Sequence, residues 1–180
     1  MVTSIVLVRH ASSEQLGEGE PRIPGPSLTP VGREQSLKTA KFLENVKFFD
    51  VYSSSMHRAI ETAKIITSQK LNVKEELSEF NKIVFEREPE EVDKFNDNVE
   101  LALRAKAFFE KLLRDHRDSR LLIVSHGNVI RYLTCCALKL KPHLAPNFFI
   151  DNASITQLFF DGSDLVSVGS INSTAHLFVD

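Results

Sequence analysis

The chain has 180 residues, of which 42% are apolar and 26% charged, a balance that suits one folded domain and argues against a disordered segment. Its 22 Lys and Arg nearly match 24 Asp and Glu, for a formal charge of -2, so the broad basic surface of a nucleic-acid or anionic-membrane binder is absent. The first residues, Met1 to Val8, hold too short an apolar run for a signal peptide or a membrane span, which predicts an intracellular, cytoplasmic protein.

In chain order, Ser4 to Val8 reads as a buried strand that ends on Arg9-His10. Glu14 to Ser27 is rich in Glu, Pro and Gly and reads as a loop. Thr29-Pro30 supplies an N-cap and a first helical residue, and Leu37, Ala40, Leu43 and Val46 then mark the expected core face of a helix. Asp50 to Ser53 forms the next strand, followed by a helix that starts near Arg58 and carries Ala59, Ile60, Ala63 and Ile66 inward. Phe80 to Asn96 reads as a second loop, ahead of a long helix with Leu101, Ala105, Phe108, Phe109 and Leu112 on one face.

Arg120 to Ser125 is a further strand, and His126-Gly127 leads directly into a helix over Asn128 to Leu140, closed by Lys139, Lys141 and Pro142. Cys135 and Cys136, adjacent on that helix, cannot readily pair with each other and read as reduced core thiols; a metal or redox role would want a CxxC spacing that is missing. Ser154 to Phe160 and Leu165 to Ile171 form a terminal hairpin turning at Asp161-Gly162. Strands alternating with helices predict a three-layer α/β/α sandwich with a mainly parallel sheet and a C-terminal antiparallel hairpin, and ligands collect beyond the carboxyl ends of such strands.

Three strand-to-helix junctions therefore bring Arg9 and His10, Arg58, and His126 and Gly127 to one edge. Metal-free cleavage of a phosphomonoester, among the slowest of uncatalysed reactions, needs several electrostatic contacts acting together. Two guanidiniums can hold the equatorial oxygens in forked geometry, a neutral His10 can attack phosphorus, and His126, if protonated, can donate to the transferring group. The helix start at Gly127 and Asn128 adds N–H donors for an anion. No HxH or HExxH spacing suggests a metal, and a guanidinium beside the nucleophile would repel one, so neither metal nor other cofactor is expected.

These residues carry a family resemblance as well. Ile5 to Ala11, Ser54 to Ala63 and Val124 to Arg131 resemble the three signatures of the histidine phosphatase superfamily, also called phosphoglycerate-mutase-like. Leu28 to Gln35 is similar to its LTxxGxxQ helix start, and Asn172 to Leu177 to its NxxxHL tail. The resemblance implies a single histidine-phosphatase domain over residues 1–180, with His10 as the phosphorylated nucleophile and Arg9, Arg58 and His126 around the phosphate, where the helix start at Gly127 also points. It also implies a general acid in an L-x-E sequence after a third strand. Leu77-Ser78-Glu79 fits, which makes Glu79 the candidate ahead of Glu75, Glu76 and Glu86.

The chain departs from the family in having Ala11 for the usual Gly, in lacking an F-G-x-W-E-G-like run over Phe80 to Phe85, and in carrying Leu16 where many members have a phosphate-contacting Asn, a contact that is either missing or supplied by Gln15 or Ser13. His57, His116, His143 and His176 receive no role. The reading is thus a metal-independent phosphatase acting on a phosphorylated small molecule or a phosphoprotein. A phosphoglycerate mutase and a non-catalytic phosphate-binding scaffold are the alternatives. The substrate and the oligomeric state are not legible.

Overall fold

The computed structural model describes residues 2–15, 24–80 and 97–179. Leu16, Glu86 and most of the two expected loops therefore lie outside the described residues. Six strands form one sheet: β1 (Thr3–Arg9), β2 (Asp50–Ser54), β3 (Leu71–Lys74), β4 (Arg120–Ser125), β5 (Ile155–Asp161) and β6 (Asp164–Ser173). Their order is β3-β2-β4-β1-β5-β6, with the first four mutually parallel and β5 and β6 antiparallel. The helices are α1 (Pro30–Leu43), α2 (His57–Ile66), α3 (Asp97–Asp115) and α4 (Gly127–Ala137).

Alternation along the two central strands fills two cores at once. Ile5 and Leu7 of β1 and Leu121 and Ile123 of β4 join Ala105, Phe109, Ile130 and Leu133 of α3 and α4. Val6, Val8, Leu122 and Val124 face the other way, onto Leu43 of α1 and Ala59, Ala63 and Ile66 of α2. Strands buried on both faces must be continuously apolar, which is why Ile5 to Val8 and Leu121 to Val124 contain no polar residue. The edge strand β3 has no such run and is exposed at Val73, so composition marks it poorly.

The expected inner face of α1 needs correction. Gly32, Ser36, Thr39 and Leu43 are the buried positions, while Leu37 is 61% exposed. Small residues let α1 approach its neighbours closely, and the hydroxyls of Ser36 and Thr39 donate to the Gly32 and Gln35 carbonyls at 2.8 and 2.9 Å, so their burial strands no polar group. Helix α4 ends three residues earlier than the cations and Pro142 suggest. Lys139 takes φ 55°, and the N–H groups of Lys139 and Leu140 return to the carbonyls of Cys136 and Cys135, a Schellman closure built on a residue other than glycine. The terminal hairpin turns at Gly162-Ser163, not at Asp161-Gly162: Asp161 pairs with Asp164, and the positive φ of Gly162 suits glycine. Both cysteines are free, and burial pushes the Cys135 thiol up to about 11.

Candidate active site

Sheet register builds the site. β1 and β4 run side by side with Arg9 opposite Ser125, and the His10 N–H donates to the Ser125 carbonyl at 2.8 Å, so the next residue on each strand arrives at the same level. Those residues are His10 and His126, whose ring centroids stand 5.0 Å apart. β2 flanks β4 on its other side, and a two-residue turn places Arg58 in the first turn of α2. The Arg58 Nε–H then donates to His10 Nε2 at 3.2 Å. A cavity of about 300 Å³ opens here, lined by Arg9, His10, Ser13, Glu14, Arg58 and Glu79 among others.

Both partners of His10 are unambiguous, and they fix its tautomer. The Ala11 carbonyl only accepts, so Nδ1 carries the proton and donates to it at 2.8 Å; the Arg58 guanidinium only donates, so Nε2 presents its lone pair. Burial, together with Arg58 and Arg9, lowers the His10 pKa to about 3. The ring is therefore neutral at neutral pH, with its lone pair on the nitrogen next to Arg58.

His126 is fully buried, and its pKa falls well below the usual imidazole value because of that burial and of His10, Arg58 and Arg9 beside it. This corrects the condition that it be protonated. Its Nε2 meets the Ser54 hydroxyl at 2.8 Å; that oxygen accepts from the Met56 N–H and can give its proton to the ring. Nδ1 then bears the hydrogen of a neutral imidazole and finds no acceptor among the described residues. An orphaned buried donor beside His10 costs free energy unless an anion answers it.

Two buried neutral histidines make stability pH-dependent. Unfolded histidine titrates near 6.5 while the folded rings stay neutral, so the unfolded chain gains protons first as pH falls. Stability is expected to be fully present above about pH 6.5 and to drop by up to about 1.4 kcal/mol per pH unit for each ring below it. Urea midpoints between pH 7 and pH 5 check this, and a flat profile would contradict the buried, neutral assignment.

Arg9 anchors Nη1 on the Ile150 carbonyl at 2.7 Å, keeps a buried Nε without a partner among the described residues, and lies under Gly127, the first residue of α4. Glu79 follows a short 3-10 turn over Glu75–Leu77. Burial raises its pKa, against the opposing pull of the Phe80 and Asn128 N–H groups and of Arg9 and Arg58. Arg9, His10, Arg58 and Glu79 line the cavity, and His126 and Gly127 stand behind them, against His10 and Arg9 respectively, outside the lining; Glu75, Glu76 and the four remaining histidines are also outside it. Ala11 avoids a positive φ, so the missing glycine strains nothing.

Sequence reasoning missed the supports. Ser54 and Thr62 sit inside the second signature, and Thr62 accepts the Ala11 N–H at 3.1 Å; a buried hydroxyl beside a strand end was the available signal. Asn152, which donates to the His10 carbonyl at 3.0 Å, and the Ile150 carbonyl come from a loop about 140 residues away and carried no signal.

The Leu28 to Gln35 segment also has a physical purpose. Gln35 Oε1 accepts the Ser12 N–H at 2.9 Å and the Thr29 N–H donates to the Ser12 carbonyl, clamping the chain just after His10. A Cβ at Gly32 would lie 1.9 Å from that same carbonyl. Gly32→Ala is therefore expected to destabilise by at least about 1–3 kcal/mol, read as a lowered urea midpoint at unchanged slope.

Comparison with known proteins agrees with this geometry. The profile described as histidine phosphatase superfamily (branch 1) matches residues 5–172. The chain is 32% identical, over 98% of its length, to serine/threonine-protein phosphatase Pgam5, mitochondrial, of Drosophila persimilis, and 31% identical to the Xenopus tropicalis protein of that name over 96%. It spans 65% of the length of each of these curated relatives. Among solved structures it resembles phosphoserine phosphatase from Entamoeba histolytica (TM-score 0.78, 22% identity, 98% and 100% of the two chains). It also resembles mycobacterial glucosyl-3-phosphoglycerate phosphatase (TM-score 0.78, 20% identity, 97% and 100%). These likenesses show the fold. The cytoplasmic location expected from the N-terminus is overturned, because the curated relatives are named as mitochondrial proteins.

Proposed function

Since the chain belongs to the histidine phosphatase superfamily, we propose that it hydrolyses phosphomonoesters without a metal ion, through a phosphohistidine on His10. The observation that carries this reading is the lone pair of His10 Nε2, held 3.2 Å from the Arg58 guanidinium inside a cavity that Arg9 and Glu79 also line. In the first step Nε2 attacks phosphorus, the P–O ester bond breaks, and protonated Glu79 gives its proton to the departing oxygen. In the second, the Glu79 carboxylate takes a proton from water, whose oxygen attacks phosphorus as the P–N bond breaks, returning neutral His10 and inorganic phosphate. Arg9, Arg58, the His126 Nδ1–H and the helix start at Gly127 hold the phosphoryl oxygens throughout.

Glu79 suits both steps because burial raises its pKa, which favours the protonated form that an acid needs. The names of the curated relatives favour phosphorylated serine or threonine in a protein as substrate, with residues 1–180 acting as one catalytic domain. The mutase alternative needs a cation for the carboxylate of a phosphoglycerate. Among the described lining residues the only cations are Arg9 and Arg58, both engaged by phosphate in this reading, while Glu14 adds negative charge.

The test is a purified-protein panel of phosphopeptides, alkyl phosphates and aryl phosphates, with and without chelator, that also follows 3-phosphoglycerate. Phosphate release unaffected by chelator is expected. Isomerisation of phosphoglycerate outpacing release would establish the mutase, and phosphate binding without turnover would establish a scaffold.

A further inference from the structure

The geometry points to Asn128 as the residue that positions the Glu79 carboxyl against the leaving oxygen, an inference that rests on the reading of Glu79 as the acid. Glu79 is the last residue but one before a stretch outside the described residues, and this chain lacks the aromatic and glycine pattern that follows the acid in the family. Some other contact must therefore hold it.

Asn128 supplies that contact through Phe80. Its side-chain Nδ2 donates to the Phe80 carbonyl at 2.8 Å, and the N–H of the same Phe80 donates to the Glu79 carboxylate at 3.2 Å. The amide is itself held in place, since Oδ1 accepts from Arg131 Nη1 at 3.2 Å while Arg131 Nε donates to the Phe148 carbonyl at 2.8 Å. Phe80 is buried and meets Tyr132 of the same helix edge-on, with ring centroids 6.0 Å apart. Upstream, Ser125 ties down the Leu77 carbonyl at 2.8 Å and Ser55 meets Ser78 at 3.0 Å.

The acid is thus pinned on both sides, and the downstream pin stands two residues after His126. The strand end and helix start that present His126 to the phosphoryl group also set the height of the proton donor above it. The Asn128 side chain touches neither substrate nor reacting atoms and acts on Glu79 through Phe80. An amide is suited to this, because it donates to Phe80 while accepting from Arg131 and adds no charge that would alter the pKa of the acid.

A positioning role predicts a split that general loosening of the fold would not produce. Phosphoryl transfer from p-nitrophenyl phosphate releases a stable phenolate and needs no acid, whereas an alkyl phosphate from the panel above releases an alkoxide that does. In Asn128→Ala, kcat/KM for the alkyl phosphate is expected to fall about 10- to 100-fold while that for the aryl phosphate stays within about threefold, with inhibition by vanadate unchanged. Asn128→Ser, whose hydroxyl is too short to reach the Phe80 carbonyl, should show the same split and serves if the alanine variant does not fold.

Glu79→Gln, measured in parallel, should show the split more strongly. If Glu79→Gln shows it and neither Asn128 variant does, or if both substrates decline together in them, the inference about Asn128 fails while the acid stands. If Glu79→Gln shows no split, the assignment of the acid fails and the inference falls with it.

Discussion

His10→Ala is expected to lower kcat on every phosphomonoester by at least about 10³-fold and to abolish the phosphoenzyme. The argument rests on the two fixed partners of the ring. Nδ1–H on the Ala11 carbonyl and Arg58 on Nε2 leave one tautomer, and burial keeps it uncharged, so the lone pair is available without a base to uncover it. Alanine leaves Arg9, Arg58 and the His126 donor in the pocket, and these can still orient phosphate for direct attack by water, which accounts for a residual rate. Acid quench of the wild-type protein during turnover of labelled substrate should destroy the trapped species. Alkaline quench should preserve it, as expected for a phosphorylated imidazole and not for a phosphoserine or an acyl phosphate. Hydrolysis by His10→Ala at more than about a tenth of the wild-type rate would place the nucleophile elsewhere.

Arg58→Ala carries the second largest expected effect, about 10²- to 10³-fold in kcat, comparable with removing one preorganised donor from an oxyanion site. The loss should be accompanied by a change of pH profile whose sign follows from electrostatics. Arg58 is the second cause, after burial, of the low pKa of His10. Removing a positive charge 3.2 Å from Nε2 makes the ring easier to protonate, so its pKa rises and the acid limb of kcat/KM moves to higher pH. Arg58→Lys keeps the charge but not the fork, and is expected to lose activity with little movement of that limb. The pair of profiles separates the two contributions, and an acid limb unmoved in Arg58→Ala would mean that Arg58 does not govern the nucleophile.

Most of the fold was legible because its central strands are buried on both faces. That circumstance forces the unbroken apolar runs of Ile5 to Val8 and Leu121 to Val124, which no loop would carry. Where one side of an element is exposed or packed through small residues, the pattern misleads. Thus β3 passed without its own apolar signal, and Leu37 was assigned to a core that α1 builds from Gly32, Ser36 and Thr39. The helix end at Ala137 was missed for a similar reason: Lys139 adopts the left-handed conformation that glycine would have announced.

For the site, sequence alone pointed to two guanidiniums and two imidazoles at three strand-to-helix junctions, and the family resemblance added the Glu79 carboxyl. Such junctions are local, and their residues are contiguous in the chain. Tertiary structure decided which nitrogen of His10 is free, that His126 is neutral, and what holds Arg9 and Glu79. Those outcomes depend on Ile150, Asn152, Ser54 and Asn128 reaching in from other elements, and on how deeply the two rings are buried. A side chain's identity fixes what it can donate or accept. Its protonation and direction are set by neighbours that only the folded chain brings within hydrogen-bonding distance.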